Sequence, residues 1–464
     1  MASLVSSLPP TVRLLDAGAG DGALTAAFVR RICSEGLGVR TLHATVYEID
    51  GAILPSLHQT MDDCAALCEG RGIGFTYAVH HADFVGEMAG RLAGDLFSAA
   101  PPSFDLAIAN PPYKKINTGS PERLALRSVG LETSNLYAGF VGLLSRLLED
   151  GGQLVAITPR SFCNGPYFRP FREDFLRQMA LERLHVFESR QALFRDDAVL
   201  QENIIFHARK GNCQPRAVTV SSSSGEREGG VTSKRFPFAE IVNPRDPERF
   251  IHIPADKGHA SAKARLEGLP ASLASLGLKV STGRVVDFRF RDALLSSPVA
   301  GSVPLLYPCH FQGGAAHWPK TNSRKPNAIL DNEATRPWLV PSGIYLLTKR
   351  FTSKEERRRL VAFLFDPDDV KAERLGFENH LNYIHANGTG LERSLARGLF
   401  VFLNSTLVDH YFRCFSGHTQ VNATDLRKLP YPDADTLRAM GVELKRLDAS
   451  QEELDRIADC HLHG

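Results

Sequence analysis

The sequence predicts an α/β protein: a doubly wound, Rossmann-like sheet, followed by an irregular α+β domain. Three observations carry that prediction. Over the first half of the chain, short apolar or β-branched runs alternate with stretches of helical period, the pattern of a parallel-dominated sheet wrapped by helices. A glycine-rich turn follows the first of those runs, at the kind of sheet edge where open α/β sheets bind ligands. After about residue 235 the alternation is lost and Pro and Gly become frequent, so the second half is not more of the same sheet. With 464 residues, 43% hydrophobic and 23% charged, the chain has length for two or three cores and an ordinary globular composition.

Taken in order, Val12–Leu15 is the first strand and Ala23–Cys33 the first helix. His43–Tyr47 is rich in β-formers, Ala52–Glu69 has helical period, and Phe75–His80 and Phe104–Ala109 read as strands. Leu136–Leu148 is a strongly apolar helix stopped by Glu149-Asp150-Gly151-Gly152, with the glycines as the stop signal. Leu154–Thr158, Leu184–Phe187 and Asn203–His207 complete the strands. Residues 211–235 break the pattern, and Ser221–Gly230 reads as a flexible linker or long loop. That places one domain over 1–235 and a second over 236–464, where short strands mix with a charged helix at Ser353–Phe365. No internal repeat is present.

Composition excludes several classes. No apolar run approaches the roughly 20 residues that span a bilayer, and the N-terminus has no basic region of a signal peptide. The eight cysteines are scattered. Cys64 and Cys68 lie one helical turn apart without a matching pair at zinc-ligand spacing, so no metal site is expected and the thiols read as buried and reduced, in the cytoplasm. Residues 1–235 carry 24 basic and 25 acidic side chains, and the remainder 30 and 27. That asymmetry permits a local basic face without requiring one.

The chemistry concentrates on one sheet edge. Gly18-x-Gly20-x-x-Ala23 satisfies a loose dinucleotide fingerprint, which alone fits a nicotinamide enzyme or a tight turn without ligand. Asp16 ends the first strand, where a carboxylate can meet a cationic ligand. Glu48 ends the second, placed to accept hydrogen bonds from both hydroxyls of a ribose. Asp83-Phe84 ends the third, where the acid can accept an adenine amino group and the ring can lie against the base. Each acid taken singly reads as a helix N-cap; three in order after a glycine loop read as a site. The fourth strand runs into Asn110-Pro111-Pro112-Tyr113. Two prolines fix the path and give up two donors, and the residue before a proline is held extended. Asn110 is thus a stiff polar corner.

In order, Asp16–Gly22, Glu48, Asp83-Phe84 and Asn110–Tyr113 resemble the motifs of S-adenosylmethionine-dependent N6-adenine DNA methyltransferases. Gly151–Phe162 resembles the strand and turn that follow in these enzymes. Val280–Phe288 and Ser416–Arg427 look like C-terminal signatures of modification enzymes from type II restriction-modification systems, the Pst-type among them, which act on a palindromic hexamer containing adenine. The resemblance covers nearly the whole chain. It implies a methyltransferase sheet, a C-terminal target-recognition domain, S-adenosyl-L-methionine as cofactor, double-stranded DNA as substrate, and functional pairing with a separate restriction endonuclease; one monomer suffices to methylate one strand at a time. The Asn110 side-chain oxygen and the Pro111 carbonyl would accept from the adenine amino group, Tyr113 would face a base taken out of the duplex, and Phe194 would supply a second face. Phe140 would edge the cofactor's adenine. For base reading, Thr282, Arg284, Arg289 and Arg291 come from one segment and His418, Thr419, Gln420, Asn422, Thr424 and Arg427 from the other. Lys349-Arg350 and Arg357-Arg358-Arg359 read as phosphate contacts or, in preference, as a solvated face.

Rival readings stay open on sequence. Asn-Pro-Pro-Tyr also occurs in methyltransferases acting on glutamine in release factors or on ribosomal RNA. A noncatalytic DNA-binding module with a dead cofactor pocket is another reading. No carboxylate pair with a nearby Lys in a strand pattern suggests a fused nuclease. Family members usually carry a segment upstream of the glycine loop that helps cover the methionine part of the cofactor; Met1–Leu8 looks like the tail of its helix, so the chain is expected to begin at an internal methionine, through a misassigned start or a true deletion.

Overall fold

The computed structural model describes residues 1–94, 100–187, 202–211, 213–223, 230–254, 257–352, 356–415 and 420–462. The chain divides into two compact units, residues 1–255 and 256–464. The first unit therefore continues past residue 235.

Its sheet has nine strands: β1 (Thr11–Ala17), β2 (Thr41–Glu48), β3 (Gly74–His81), β4 (Phe104–Ala109), β5 (Leu148–Pro159), β6 (Met179–Phe187), β7 (Asn203–Lys210), β8 (Ala217–Ser223) and β9 (Thr232–Pro237). Their spatial order is β3-β2-β1-β4-β5-β7-β6-β8-β9. Here β7 and β9 run against their neighbours and the other pairings are parallel. The central strands are buried along nearly their whole length, Val12, Leu14, Leu15, Leu106, Ala107, Val155 and Ala156 among them. That is why they read as continuous apolar runs rather than alternating ones.

Helix α1 (Ala23–Glu35) starts from Gly22 and stops at Gly36, a left-handed residue whose N–H returns to the Ile32 carbonyl. Its Phe28, Val29 and Ile32 pack with Cys64 and Cys68 of α2 (Leu54–Glu69) and with Leu14, Leu42 and Ile108 of the sheet. Helix α3 (Phe84–Ala93) follows β3, and α4 (Pro121–Ser128) precedes α5 (Leu136–Leu147). Helix α5 is apolar all round because nearly all of it is buried. Helix α6 (Arg169–Gln178) leads into β6.

Two expectations for this unit change. The glycines after α5 do not stop it: the helix ends at Leu147 and β5 begins at Leu148, with Gly151 and Gly152 inside the strand beside a register shift against β4. A Cβ on Gly152 would lie 2.8 Å from the Glu149 carbonyl oxygen and 3.2 Å from that of Phe104, so the glycine serves a close approach and not a cap. The break in pattern over 211–235 holds two strands, β8 and β9, which pair antiparallel and extend the sheet; of the expected linker or loop at Ser221–Gly230, residues 221–223 belong to β8 and 224–229 lie outside the described residues. Met1–Leu8 contains one 3-10 turn, Ala2–Leu4; Val5 is buried and Ser6 donates its N–H to the Gln153 side chain at 3.0 Å.

The second unit is α+β. Strand Lys279–Thr282 edges a six-stranded sheet, pairing with Leu381–His385, which pairs in turn with Tyr345–Lys349. A second, five-stranded sheet contains Ser302–Leu306, Ala328–Leu330 and Arg374–Phe377. Helices Arg393–Leu403, Ala434–Glu443 and Gln451–Leu462 share a core with Leu346, Leu364 and Ile384 of the first of these sheets. The expected helix at Ser353–Phe365 is absent among its described residues: 356–361 are irregular and Ala362–Phe365 is a strand. Of the arginines there, Arg357 is exposed, but Arg358 and Arg359 are not a solvated face. Arg359 is buried, and Arg358 donates to the Ser405 carbonyl at 2.8 Å. A basic cluster looks solvated in sequence, yet guanidinium groups can bridge buried carbonyls that would otherwise lack donors. Among the described residues, no helix is long and apolar enough to cross a membrane, and no cluster of His, Cys, Asp and Glu could hold a metal ion.

Candidate active site and nucleic-acid interface

Strand register brings the first-half motifs to one edge. Asp16 of β1 pairs with Ile108 of β4, Ala17 with Tyr47 of β2, and Glu48 with His81 of β3. One residue further on, the glycine loop leaves β1, and Asn110 leaves β4 as its immediate neighbour.

The loop is shaped by its glycines. Gly18, Gly20 and Gly22 have φ of 70°, 58° and 82°, a left-handed region that other residues rarely enter. Gly18 and Ala19 donate to the Tyr47 carbonyl at 3.0 and 2.9 Å. Gly20 donates to Glu48 Oε2 at 2.8 Å, while Glu48 Oε1 takes the N–H groups of Ile49 and Asp50, each at 2.8 Å. Three backbone donors thus fix the Glu48 carboxylate. Of about four acceptor positions on a carboxylate, these donors take about three.

Asp16 is fully buried. Its Oδ2 accepts from Thr25 Oγ1 at 2.8 Å, and its Oδ1 is buried without a hydrogen-bond partner. Burial pushes its pKa up to about 7, against the lowering effect of the Thr25 bonds. An orphaned buried oxygen is costly unless something meets it. Asp83 caps α3, accepting from Val85 and Gly86 at 3.1 and 3.2 Å, and its side chain stays exposed. Phe84 is 2% exposed and packs between the rings of Tyr47 (5.4 Å) and Phe140 (5.1 Å). Phe140 of α5 is the ring nearest Gly18, 3.7 Å from where a Cβ there would stand. The two phenylalanines form the apolar floor beside the loop.

Asn110 is exposed, Pro111 buried, Pro112 exposed and Tyr113 half-buried. The Tyr113 hydroxyl donates to Asn110 Oδ1 at 3.3 Å, and burial raises its pKa well above the usual tyrosine value, so it stays a donor. The stretch after Tyr113 is pinned to the start of α5: Leu136 N–H donates to the Lys114 carbonyl at 2.8 Å, and Ile116 N–H to that of Ser134 at 2.9 Å. Behind Tyr113 stands Tyr137, edge-on at 6.3 Å, its hydroxyl 2.8 Å from Ser161 Oγ. Thr25 and Tyr137 were not singled out from sequence. The available signals were a hydroxyl on the buried side of the helix after the loop, and an aromatic opening an apolar helix. Phe194 lies outside the described residues.

The second-unit candidates sort into two kinds. Arg284, Arg289, Arg291 and Arg427 are exposed, and Thr424 is half-buried. Thr282 instead spends its hydroxyl on Asn382 Oδ1 at 3.1 Å. The fully buried Asn382 donates in turn to the Val421 carbonyl at 2.7 Å, so one amide ties together the two stretches that the sequence set apart. Asn422 caps the short helix Ala423–Lys428, its N–H bound to Asp425 at 2.8 Å, and Gln420 bridges to Phe351. His418 and Thr419 lie outside the described residues.

The family model described as Eco57I restriction-modification methylase matches residues 78–194. The chain is 45% identical over 462 residues to the type II methyltransferase M.PstI of Providencia stuartii, covering 100% of this chain and 90% of that one. It is 45% identical over 434 residues to the type II methyltransferase M.BsuBI of Bacillus subtilis, covering 92% and 84%. Among solved structures, the type IIG restriction endonuclease BpuSI aligns at 14% identity and a TM-score of 0.45, over 99% of this chain and 64% of that one.

Proposed function

The chain belongs to the type II methyltransferases of restriction-modification systems, and from that premise we propose that it methylates N6 of adenine in a short, palindromic DNA site. In this reading it acts as a monomer in the bacterial cytoplasm and protects host DNA from a separate, cognate restriction endonuclease. The methyl donor of such an enzyme is S-adenosyl-L-methionine. The membership displaces the nicotinamide, nuclease, ribosomal-RNA and glutamine readings.

The observation that carries the proposal is the placement of Asn110 and Pro111 at the end of β4, next to the loop that ends β1. The adenine amino group is a poor nucleophile because its lone pair is delocalised into the ring. Asn110 Oδ1 and the Pro111 carbonyl, aimed at its two hydrogens, favour a tetrahedral nitrogen. Both acceptors are pre-set by the prolines, so little reorganisation opposes the step. Tyr113 offers a face to the extruded base, with Phe194 proposed opposite.

The residues present fit the cofactor. Asp16 has a buried, unmet oxygen suited to a cationic group, Glu48 is fixed with acceptor capacity to spare, and Phe84 and Phe140 floor the loop. When bound, S-adenosylmethionine supplies an electrophilic methyl on sulfur. Asn110 Oδ1 and the Pro111 carbonyl would hold the adenine amino group towards that methyl, and the surplus proton of the nitrogen would leave to solvent.

The test is methylation mapping. The chain is expressed in a bacterium lacking adenine methyltransferases, and its genome is sequenced by a method that detects N6-methyladenine. Methylation at one short motif is expected. A modified cytosine, or none, overturns the adenine assignment.

A further inference from the structure

We infer that Phe288 is a wedge that enters the base stack of bound DNA, with Arg284, Arg289 and Arg291 on the flanking phosphates. The inference rests on the DNA reading above and adds a contact that the base-reading candidates do not include.

Phe288 is 66% exposed, at the centre of a single 3-10 turn, Asp287–Arg289. A large exposed aromatic is ordinary on a loose loop, but this turn is fastened on every side. Before it, Val285 is fully buried, and its N–H donates to the Phe377 carbonyl at 3.0 Å. Within it, Asp287 is held by the Tyr307 hydroxyl at 2.7 Å and by Lys325 Nζ at 3.0 Å. After it, Phe290 packs edge-on against Trp338 at 5.6 Å, and Ala293 and Leu294 join the core around Leu305 and Ile329. Val285, Asp287 and Phe290 thus anchor the turn while the Phe288 ring is presented outward.

The charge around the ring selects the partner. Arg284, Arg289 and Arg291 are exposed, against one exposed acid in the same stretch, Asp292. The Arg289 guanidinium lies over the Phe288 ring at 5.6 Å. A partner that satisfies both features offers closely spaced anions beside flat apolar faces, which is a nucleic-acid duplex. Apolar side chains inserted at a base step unstack it, and the loss is offset by added contact. A turn already fastened adds little ordering entropy to that cost.

The experiment uses the full chain and duplexes carrying the mapped site, with 2-aminopurine placed at successive positions. The unaltered protein should raise the fluorescence at one step, and Phe288→Ala should abolish that rise. The single-turnover methylation rate of Phe288→Ala should fall about 10- to 100-fold on paired DNA, the scale set by unstacking one step. A mismatch at the same step should restore most of it, and Phe288→Trp should restore the rise on paired DNA. The salt dependence of binding should not change, because no phosphate contact is lost. Retention of the fluorescence rise in Phe288→Ala, or a rate loss that the mismatch leaves untouched, would overturn the wedge. If the unaltered protein neither binds nor methylates the duplex, the DNA reading itself fails and the wedge with it.

Discussion

The glycine-loop edge of the first unit and the paired C-terminal stretches of the second were both legible as motifs, yet they are built differently. At the sheet edge, backbone atoms do much of the holding. Three N–H groups clamp Glu48, and main-chain bonds to α5 pin the segment after Tyr113. Asn110 is left exposed, and one oxygen of Asp16 is left unmet. In the second unit the motif side chains themselves do part of the holding. Thr282 binds Asn382 and Asn422 caps a helix, while Arg284, Arg289 and Arg427 face outward. A motif in sequence is therefore a mixture of scaffold and working groups, and the proportions differ between the two units.

The sharpest way to break this comparison is at Asn110. Asn110→Ala should lower single-turnover methyl transfer by about 10²- to 10³-fold, the scale for removing one pre-set polar contact from a transition state. S-adenosylmethionine affinity, read by calorimetry, should stay within about threefold, since the cofactor edge is held by other atoms. Joint loss of both would mean that Asn110 is scaffold and would collapse the distinction.

Asp16 gives the next largest effect. Burial raises its pKa to about 7, so the free protein carries it protonated at pH 5. A cationic ligand favours the ionised form. Affinity should therefore rise between pH 5 and 7, by up to about tenfold per unit, and flatten above. Stability without ligand runs the other way: ionising this buried acid costs stability as pH rises from its ordinary value to about 7. Asp16→Asn should flatten the affinity profile; the same slope in that variant would assign the effect elsewhere.

A pair of variants tests the second unit. Arg284→Ala should reduce the slope of log affinity against log salt by about one, with the melting temperature unchanged. Thr282→Val should do the reverse, losing about 1 kcal/mol of stability by leaving the buried Asn382 oxygen short of a donor, with the salt slope intact. Exchange of these two outcomes would invert the sorting proposed for the segment.

The smallest effect is expected at Tyr137→Phe, which keeps the ring behind Tyr113 and removes the bond to Ser161. A cost of about 1 kcal/mol is expected in denaturant unfolding, with transfer slowed less than tenfold. A loss as large as that of Asn110→Ala would make Tyr137 part of the chemistry.

The sequence by itself determined the strand–helix alternation of the first half, because buried parallel strands must be apolar throughout. It also determined the order of the acids along one edge, because such strands end where their loops begin. It did not determine how the stretch after α5 is built, since a glycine that permits a close approach to Glu149 and Phe104 looks the same as one that ends a helix. It misplaced the run at 353–365, whose apolar end, Ala362–Phe365, is a strand paired with Tyr345–Thr348 while the charged residues 356–361 are irregular. Above all, it gave Thr282 and Arg284 the same standing. Only the tertiary structure separates them, because whether a polar side chain is free for a ligand depends on what folding has already placed within hydrogen-bond reach of it.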